Sequence, residues 1–436
     1  LDSLHMKPED VFNFTLTTLA IDGLDIKDFI SNKKIDLKII YLNNPTIKIL
    51  HERNDSLNTK NDTTSIQTVY QKISTFLTKF SLKKLAIKDM VVIHQNYISK
   101  NAINTLKFQH VNMLFEDLLI DSITQYDSTR FMYAKNAVIS LGKFKAPTAD
   151  SLYMISLDSI VINATGKFAS IDSIAFTPRD SKNEFVEKMP YLKERYTAQF
   201  EHVLLQHIDW WEFLSNEGFS AKNMILENGK LEIYTDRNLP PFPKSKVGNY
   251  PHQLLMKLSI PVSLDSMIIK NLDLTYEENN PDSKLHGKIF FNNISGYVYN
   301  INNQPATNTN TIMKIKANCD LMNDGRLDAT FLFDVTQTST GAFSVSGELE
   351  KMDAKKLSSV SEPLGLFKIE DGKIEKLSFD FKGSDKKCSG PFTFLYDDLH
   401  ISILKKGNED GQQDKKGFLS FIANTFIIRK SNPGND

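Results

Sequence analysis

The sequence predicts a mainly β fold, an elongated and twisted antiparallel sheet curled into a groove, with two or three accessory helices. Three observations carry this expectation. Apolar and polar residues alternate over long stretches, as in Ile35-Asp36-Leu37-Lys38-Ile39, Gly341–Leu349 and Gly372–Phe381, which is the period of a half-buried strand. Such stretches are punctuated by Asp22-Gly23, Asn228-Gly229, Asp324-Gly325 and Asp371-Gly372. Both residues of these pairs tolerate the positive φ of a tight hairpin. Finally, a nine-residue pattern recurs along the chain.

Its strict form requires Ser or Thr second, Leu third and Ile eighth. It occurs at Phe14–Asp22, Phe80–Lys88, Ile155–Asn163 and Val262–Lys270. Chance would supply on the order of 0.02 such matches. Looser copies stand at Met113–Asp121 and Phe219–Glu227, and Leu1–Lys7 fits the second half. Within the pattern, two apolar positions share one face, a three-residue step reverses the phase, and two more follow. A β-bulge at Thr17-Thr18 would bring all four onto one face and sharpen the twist, bending the sheet into a trough. The alternative is a two-sheet sandwich whose strands change sheet at the step. On the trough reading the lining is Phe14, Leu16, Leu19, Ile21, Phe80, Leu82, Leu85, Ile87, Ile155, Leu157, Ile160, Ile162, Val262, Leu264, Met267 and Ile269.

Helical spacing predicts a first helix over Ser65–Lys79, through Ile66, Val69, Tyr70, Ile73, Phe76 and Leu77. A second is expected over Tyr191–Ser215 after Pro190, and a short third over Asp353–Ser361, stopped by Pro363. Glu52–Thr64 and Lys405–Gly417 read as polar loops or linkers. The resulting organisation is an N-terminal repeated β region over 1–182, a helical insertion over 183–217, and a middle β region over 218–304. A C-terminal β region follows over 305–404, then a polar linker and short terminal apolar strand over 405–436.

Composition narrows the chemistry. The 436 residues carry 52 Lys or Arg against 53 Asp or Glu, and this balance argues against nucleic acid as a partner. Cys319 and Cys388 are too few for a disulfide framework or a Cys-rich zinc site. The sequence has no apolar run of the ~18 residues that a membrane helix needs. Leu1–Met6 has neither the basic start nor the apolar run of a signal peptide and reads as mid-strand, so the numbering is expected to begin inside a fold.

Catalytic and metal signatures are equally sparse. The nucleotide, zincin and nucleophile-elbow motifs are missing. His202 and His207 stand five apart, whereas ligands on one helical face want three or four. Asp397-Asp398-Leu399-His400 lies in an alternating stretch whose neighbours face opposite ways. Glu277, Glu278 and Asp282, and Asp320, Asp324 and Asp328, read as solvated hairpin tips rather than calcium loops. Of Trp210-Trp211, one is expected in the core and the other at a domain contact, with a membrane-interface role as the alternative. No catalytic residue, metal site or cofactor is expected.

The phrase Ile39-Ile40-Tyr41-Leu42-Asn43-Asn44-Pro45-Thr46-Ile47-Lys48-Ile49 and the Asp-Gly turns resemble the AsmA-like family of Gram-negative envelope proteins. The likeness is strongest over Gly347-Glu348-Leu349, Leu357–Pro363, Ile369–Ile374 and Gly390–Leu399, which look like the AsmA C-terminal region in a Bacteroidetes-type form. It is weakest over Asn183–Ser215. The resemblance implies a periplasmic, non-enzymatic β-groove related to TamB and to bridge-like lipid-transfer proteins. It also implies an N-terminal inner-membrane anchor, which this sequence lacks, and a part in moving phospholipid or maintaining the outer membrane. Acyl chains would then be the partners, held against the apolar lining. The alternatives are an envelope scaffold or outer-membrane assembly factor whose groove takes a protein partner, and an enzyme acting on glycans. A plug formed by Ser65–Lys79 or Tyr191–Ser215 would favour the scaffold, and clustered carboxylates the enzyme.

Overall fold

The structure is a computed structural model that describes residues 10–52, 69–99, 102–215, 218–243, 247–305, 310–404 and 429–434. Strand takes 61% of the fold and helix 12%, and the strands belong to one large mixed sheet of 22 that does not close into a barrel. The expected fold class therefore holds in its mainly β, open-sheet character. By contact the chain forms two compact units. One comprises 1–146, 155–173 and 206–216, and the other 147–154, 174–205 and 217–436.

In the first unit, Asp10–Thr15 and Thr18–Asp22 run antiparallel to Thr46–Glu52 and Lys34–Asn43 in a single continuous register. Both partners then pair in parallel with the long strand Lys79–Ser99. Ala102–Ile120, Asn136–Leu141, Ser159–Asn163 and the start of Phe168–Pro178 follow in antiparallel order. In the second unit, Phe219–Asp236 pairs in parallel with Val262–Asn280. Leu285–Asn302, Ile312–Leu321, Gly325–Asp334, Phe343–Leu349, Phe367–Gly383 and Phe392–Ile403 continue antiparallel. The parallel ladders arise where a long connection returns the chain to the same end of the sheet before the next strand starts, as 237–261 does; a two-residue hairpin cannot do this.

The three-residue step of the repeat is resolved in one way in all four strict copies. No bulge opens at Thr17-Thr18; the strand breaks there while its register continues. The irregularity lies on the antiparallel neighbour, where a left-handed residue stands across from the fourth position of each copy. Asn44 (φ 51°) faces Thr17 and Asp117 (φ 50°) faces Lys83. Ser173 (φ 52°) faces Asp158 and Asn300 (φ 59°) faces Asp265. A residue in this region turns its strand and resets which face the next side chain takes. Phe115 and Leu118, opposite Leu85 and Leu82, accordingly pack into one cluster although three apart.

Several expectations are corrected. Tyr191–Ser215 is not a helix: Arg195–Gln206 is a strand, rich in aromatic and β-branched residues, and only Trp210–Leu214 is helical. Asp209 starts that helix by accepting from the Trp211 and Glu212 N–H groups at 3.0 Å each. Over Ser65–Lys79 the described helix is Val69–Ile73, with Lys79 already in the next strand and 65–68 outside the described residues. In place of Asp353–Ser361, a 3-10 turn at Ala354–Leu357 leads into Ser358–Gly365. Pro363 sits inside this helix and left-handed Leu366 ends it.

Asn228-Gly229 and Asp371-Gly372 are not hairpin turns but lie within long strands. Asn228 joins a transverse kink with Asn271 and Asn293, all at positive φ, and the Asn271 Nδ2 donates to the Asn228 Oδ1 at 2.9 Å. Asp324-Gly325 closes a hairpin as expected. The readings placed on Leu1–Lys7, on 53–64 and on 405–428 lie outside the described residues.

Candidate functional site

Register in the second unit aligns apolar residues into rows that cross the strands. Met224, Met267, Val298, Ile315, Phe331, Val345 and Phe381 stand side by side on seven strands. Two residues along, on the same face, runs Leu226, Ile269, Gly296, Ala317, Ala329, Gly347 and Phe379. On the opposite face the corresponding row is polar on the last four strands, with Lys316, Thr330, Ser346 and Asp380, and apolar on the first three, with Ile225, Ile268 and Tyr297, so alternation separates an apolar from a polar face only over the C-terminal strands.

Two small residues of the second row, Gly296 and Gly347, are dictated by crowding. A Cβ on Gly296 would lie 2.3 Å from the Lys316 carbonyl oxygen, and one on Gly347 would lie 2.5 Å from the Phe379 ring.

This face is covered at its two ends and open between them. At one end, Leu255 and Met256, at the end of helix Pro251–Leu255, pack on Met313, Phe333 and Val335. At the other, the turn and helix 354–365 lie over Leu349, Met352, Ile369 and Ile374, beside an apolar cavity of about 390 Å³. Strand Gly325–Asp334 shows the arrangement in four side chains. Leu327 packs against the second cluster, Phe333 belongs to the first and half-buried Phe331 packs against it, and Ala329 between them is half-buried outside both. Seven strands at ~4.8 Å make the open strip about 29 Å long.

Beneath helix Pro251–Leu255 the strip deepens into a hollow of about 370 Å³ lined by Leu254, Leu258, Met267, Val298, Ile301 and Ile315. Val298 and Ile301 are three apart and line the same hollow, because left-handed Asn300 lies between them. His252 on the same helix is fully buried between the Phe333 and Tyr250 rings, 5.1 and 6.3 Å away, and neither ring nitrogen has a hydrogen-bond partner. Burial pulls its pKa below the ordinary value, against the opposing charges of Asp385 and Asp334. Next to it the Gln253 Nε2 donates to the Thr338 carbonyl at 2.8 Å and to the Asp385 carboxylate at 3.1 Å, fixing the helix.

The residues expected to line a groove fall into three environments. Leu82, Leu157 and Leu264 are buried, and Phe14, Leu19, Ile21 and Ile155 are exposed. Leu16, Phe80, Leu85, Ile87, Ile160, Ile162, Val262, Met267 and Ile269 are half-buried. Three copies meet in the first unit, where Leu19, Leu42, Ile87, Met113, Ile139, Ile162 and Ala169 form one transverse row. Beside it runs Ile21, Ile40, Leu85, Phe115 and Ala137. The fourth copy supplies Met267 and Ile269 to the strip of the second unit.

The C-terminal half of that strip was missed because Ile315, Phe331, Val345 and Phe381 carry no copy of the repeat. Their alternation was the available signal, but it does not say which strands align.

Two polar groups also depart from expectation. Glu277 and Glu278 are buried rather than solvated. Glu277 accepts from Lys182 at 2.7 Å, His286 at 3.0 Å and Lys288 at 3.1 Å, and Glu278 pairs with Arg237 at 2.6 Å. Burial works against the Glu277 charge, but the three donors outweigh it and hold the carboxyl at about 2. Trp210 packs edge-on to Phe131, centroids 5.6 Å apart, in the first unit's core, as one tryptophan was expected to, while Trp211 is exposed.

Among the described residues no group of His, Cys, Asp or Glu is arranged to hold a metal ion, and no helix is long and apolar enough to cross a membrane. No protein-family model and no curated protein matches the chain.

Proposed function

We propose that this chain binds lipid acyl chains along the open apolar strip, as part of a non-enzymatic, membrane-anchored envelope protein of the AsmA-like kind. Its place would be the periplasm, where it would conduct glycerophospholipid or hold it for outer-membrane homeostasis. One observation carries the reading: two adjacent apolar rows cross seven strands between two covered ends, and all of their residues except buried Gly296 are half-buried, Val298, Ile315 and Phe331 touching the cluster at the helix-covered end. Water disfavours such a surface, and hydrocarbon satisfies it without any directional contact. The length also suits the ligand. A bilayer's hydrocarbon core of ~30 Å holds two chain lengths, so a strip of about 29 Å takes a fully extended acyl chain. The resemblance to AsmA adds the cell-envelope setting.

The test replaces Ala329, at the middle of the strip, with Asp. The carboxylate stays hydrated in the empty strip, so the fold should persist, but an acyl chain would have to desolvate it. The expected loss of lipid binding is on the order of a hundredfold or more. Native mass spectrometry of lipid-loaded protein and photo-crosslinking with a diazirine fatty acid read the outcome. A folded Ala329→Asp protein that crosslinks as well as the parent would remove the strip as the lipid path.

A further inference from the structure

Towards the turn and helix 354–365 the apolar rows of the strip run on into a covered space. Phe379 and Phe381 end the two rows on strand Phe367–Gly383, and Phe392 pairs with Phe379 on the strand beyond. The Phe381 and Phe392 ring centroids stand 6.4 Å apart, and the Phe392 and Phe394 rings follow at 6.4 Å. Phe394, two residues or ~7 Å along its strand from Phe392, is a wall of the apolar cavity of about 390 Å³. A third row runs beside the other two. Leu327, Leu349, Leu377 and Phe394 stand side by side, within or against the cluster that the turn and helix cover.

The lining of this cavity decides the class of ligand. One wall is Ala354 and Leu357 of the 3-10 turn, and the facing wall includes Ile374 and Ile401 from the last two long strands. Phe367, 36% exposed, forms a lip open to solvent. All eight lining residues are aliphatic or Phe, so a polar group placed there would lose its water and gain no partner. Apolar cavities of about 150 Å³ already take benzene. This one is more than twice that size. Counting each methylene as the ~30 Å³ of a liquid water, it admits on the order of ten.

We propose that this cavity takes the methyl end of an acyl chain, with the chain's polar end left outside it. The hydrocarbon class of the ligand follows from the lining alone, and its acyl identity rests on the lipid reading of the strip. Direction follows from the same chemistry. A carboxylate or headgroup inside would be dehydrated, whereas a methyl end asks for no partner. The Phe379, Phe381, Phe392 and Phe394 rings give the chain a continuous apolar path between strip and cavity. Each methylene buried in the cavity should tighten binding about fourfold, up to the number that it holds. Chain-length preference is therefore set at this end.

The experiment compares two photo-reactive palmitic acids on the full chain, one with the diazirine at the methyl end and one with it beside the carboxyl. Peptide mass spectrometry locates the crosslinks. The methyl-end probe is expected on residues 354–357 and 394–401, and the carboxyl-end probe on the strip strands but not on these walls. Leu357 is half-buried in the turn, so Leu357→Trp should fill the cavity with the fold intact, which circular dichroism checks. It should cut methyl-end labelling of the walls about tenfold or more. Leu357→Ala, which widens the cavity, should keep it. The position of the labels in the parent needs no variant, so the test stays decisive even where Leu357→Trp does not fold.

Methyl-end labels on the strip strands with none on the cavity walls would overturn the proposal and leave the strip reading standing. The proposal is also overturned if both probes label the walls equally, or if folded Leu357→Trp is labelled there as the parent is. Wall labels from the methyl-end probe, with no carboxyl-end labels on the strip, uphold the cavity and remove the strip reading. The lack of labels at either place removes both.

Discussion

Replacing Glu277 with Gln should unlock one end of the second unit, and the size of the effect follows from its surroundings. Glu277 is 7% exposed and takes three donors from two elements: Lys182 on the helix Lys182–Glu187, and His286 and Lys288 on the neighbouring strand. Lys182 also sits 4.8 Å over the Tyr234 ring, whose hydroxyl is pushed up to about 12 by burial and then by Asp236. The carboxyl is held at about 2 against an ordinary 4.5. A carboxyl depressed in the folded state adds stability that is complete above the unfolded value, and at pH 7 this amounts to about 3 kcal/mol. The contribution fades as pH falls from 4.5 towards 2.

Glu277→Gln should therefore cost about 3 kcal/mol at pH 7, as an uncharged amide leaves the Lys182 and Lys288 ammonium groups without their counter-ion. Urea titrations followed by circular dichroism at pH 7 and pH 2.5 test it. The gap between parent and variant should shrink towards zero at the lower pH. An equal gap at both pH values would refute the electrostatic account and leave only a packing defect.

Three further outcomes are expected. Burial lowers the pKa of His252, so its folded form is neutral and stability should fall as pH drops below 6.5; His252→Leu should flatten that dependence, read by urea midpoints at pH 7.5 and 5.5. Asn44 holds φ 51° opposite the first repeat, so Asn44→Val should cost about 1–2 kcal/mol while Asn44→Gly stays near neutral in thermal unfolding. Cys388 is exposed, whereas Cys319 is buried with its thiol pushed up to about 11 by burial and by Asp320; maleimide at neutral pH should label Cys388 alone until urea opens the sheet.

The repeat illustrates how far pattern reading reaches. Four copies of one nine-residue phrase set the expectation that apolar pairs on either side of a three-residue step share a face, and on the strand facing the fourth copy Val298 and Ile301, three apart, line one hollow. They did not carry how the step is made. The left-handed residue lies on the partner strand, at Asn44, Asp117, Ser173 or Asn300, so no inspection of the copy itself could find it. Asn228-Gly229 misled for a related reason. The φ freedom that suits a hairpin also suits a kink within a strand, and the lateral neighbours Asn271 and Asn293 decide between them. Arg195–Gln206 misled because apolar spacing alone was read as helical, against its aromatic and β-branched content.

Local sequence was sufficient for the class of structure, since alternation with period two and Asn/Asp-Gly punctuation are properties of neighbouring residues. The capped helix starts at Asp209 and at Ser181 with Glu184 also depend on only three or four consecutive positions, but the sequence reading, with one helix over Tyr191–Ser215, passes over both. The strip belongs to the tertiary structure. Ile315, Phe331, Val345 and Phe381 become one surface only when three ladders align them in register. Burial of Glu277 likewise needs cations from a helix almost a hundred residues earlier and from the next strand. Register is set by the sum of many weak cross-strand contacts, and burial by whatever elements arrive above; both are properties of residues far apart in the chain.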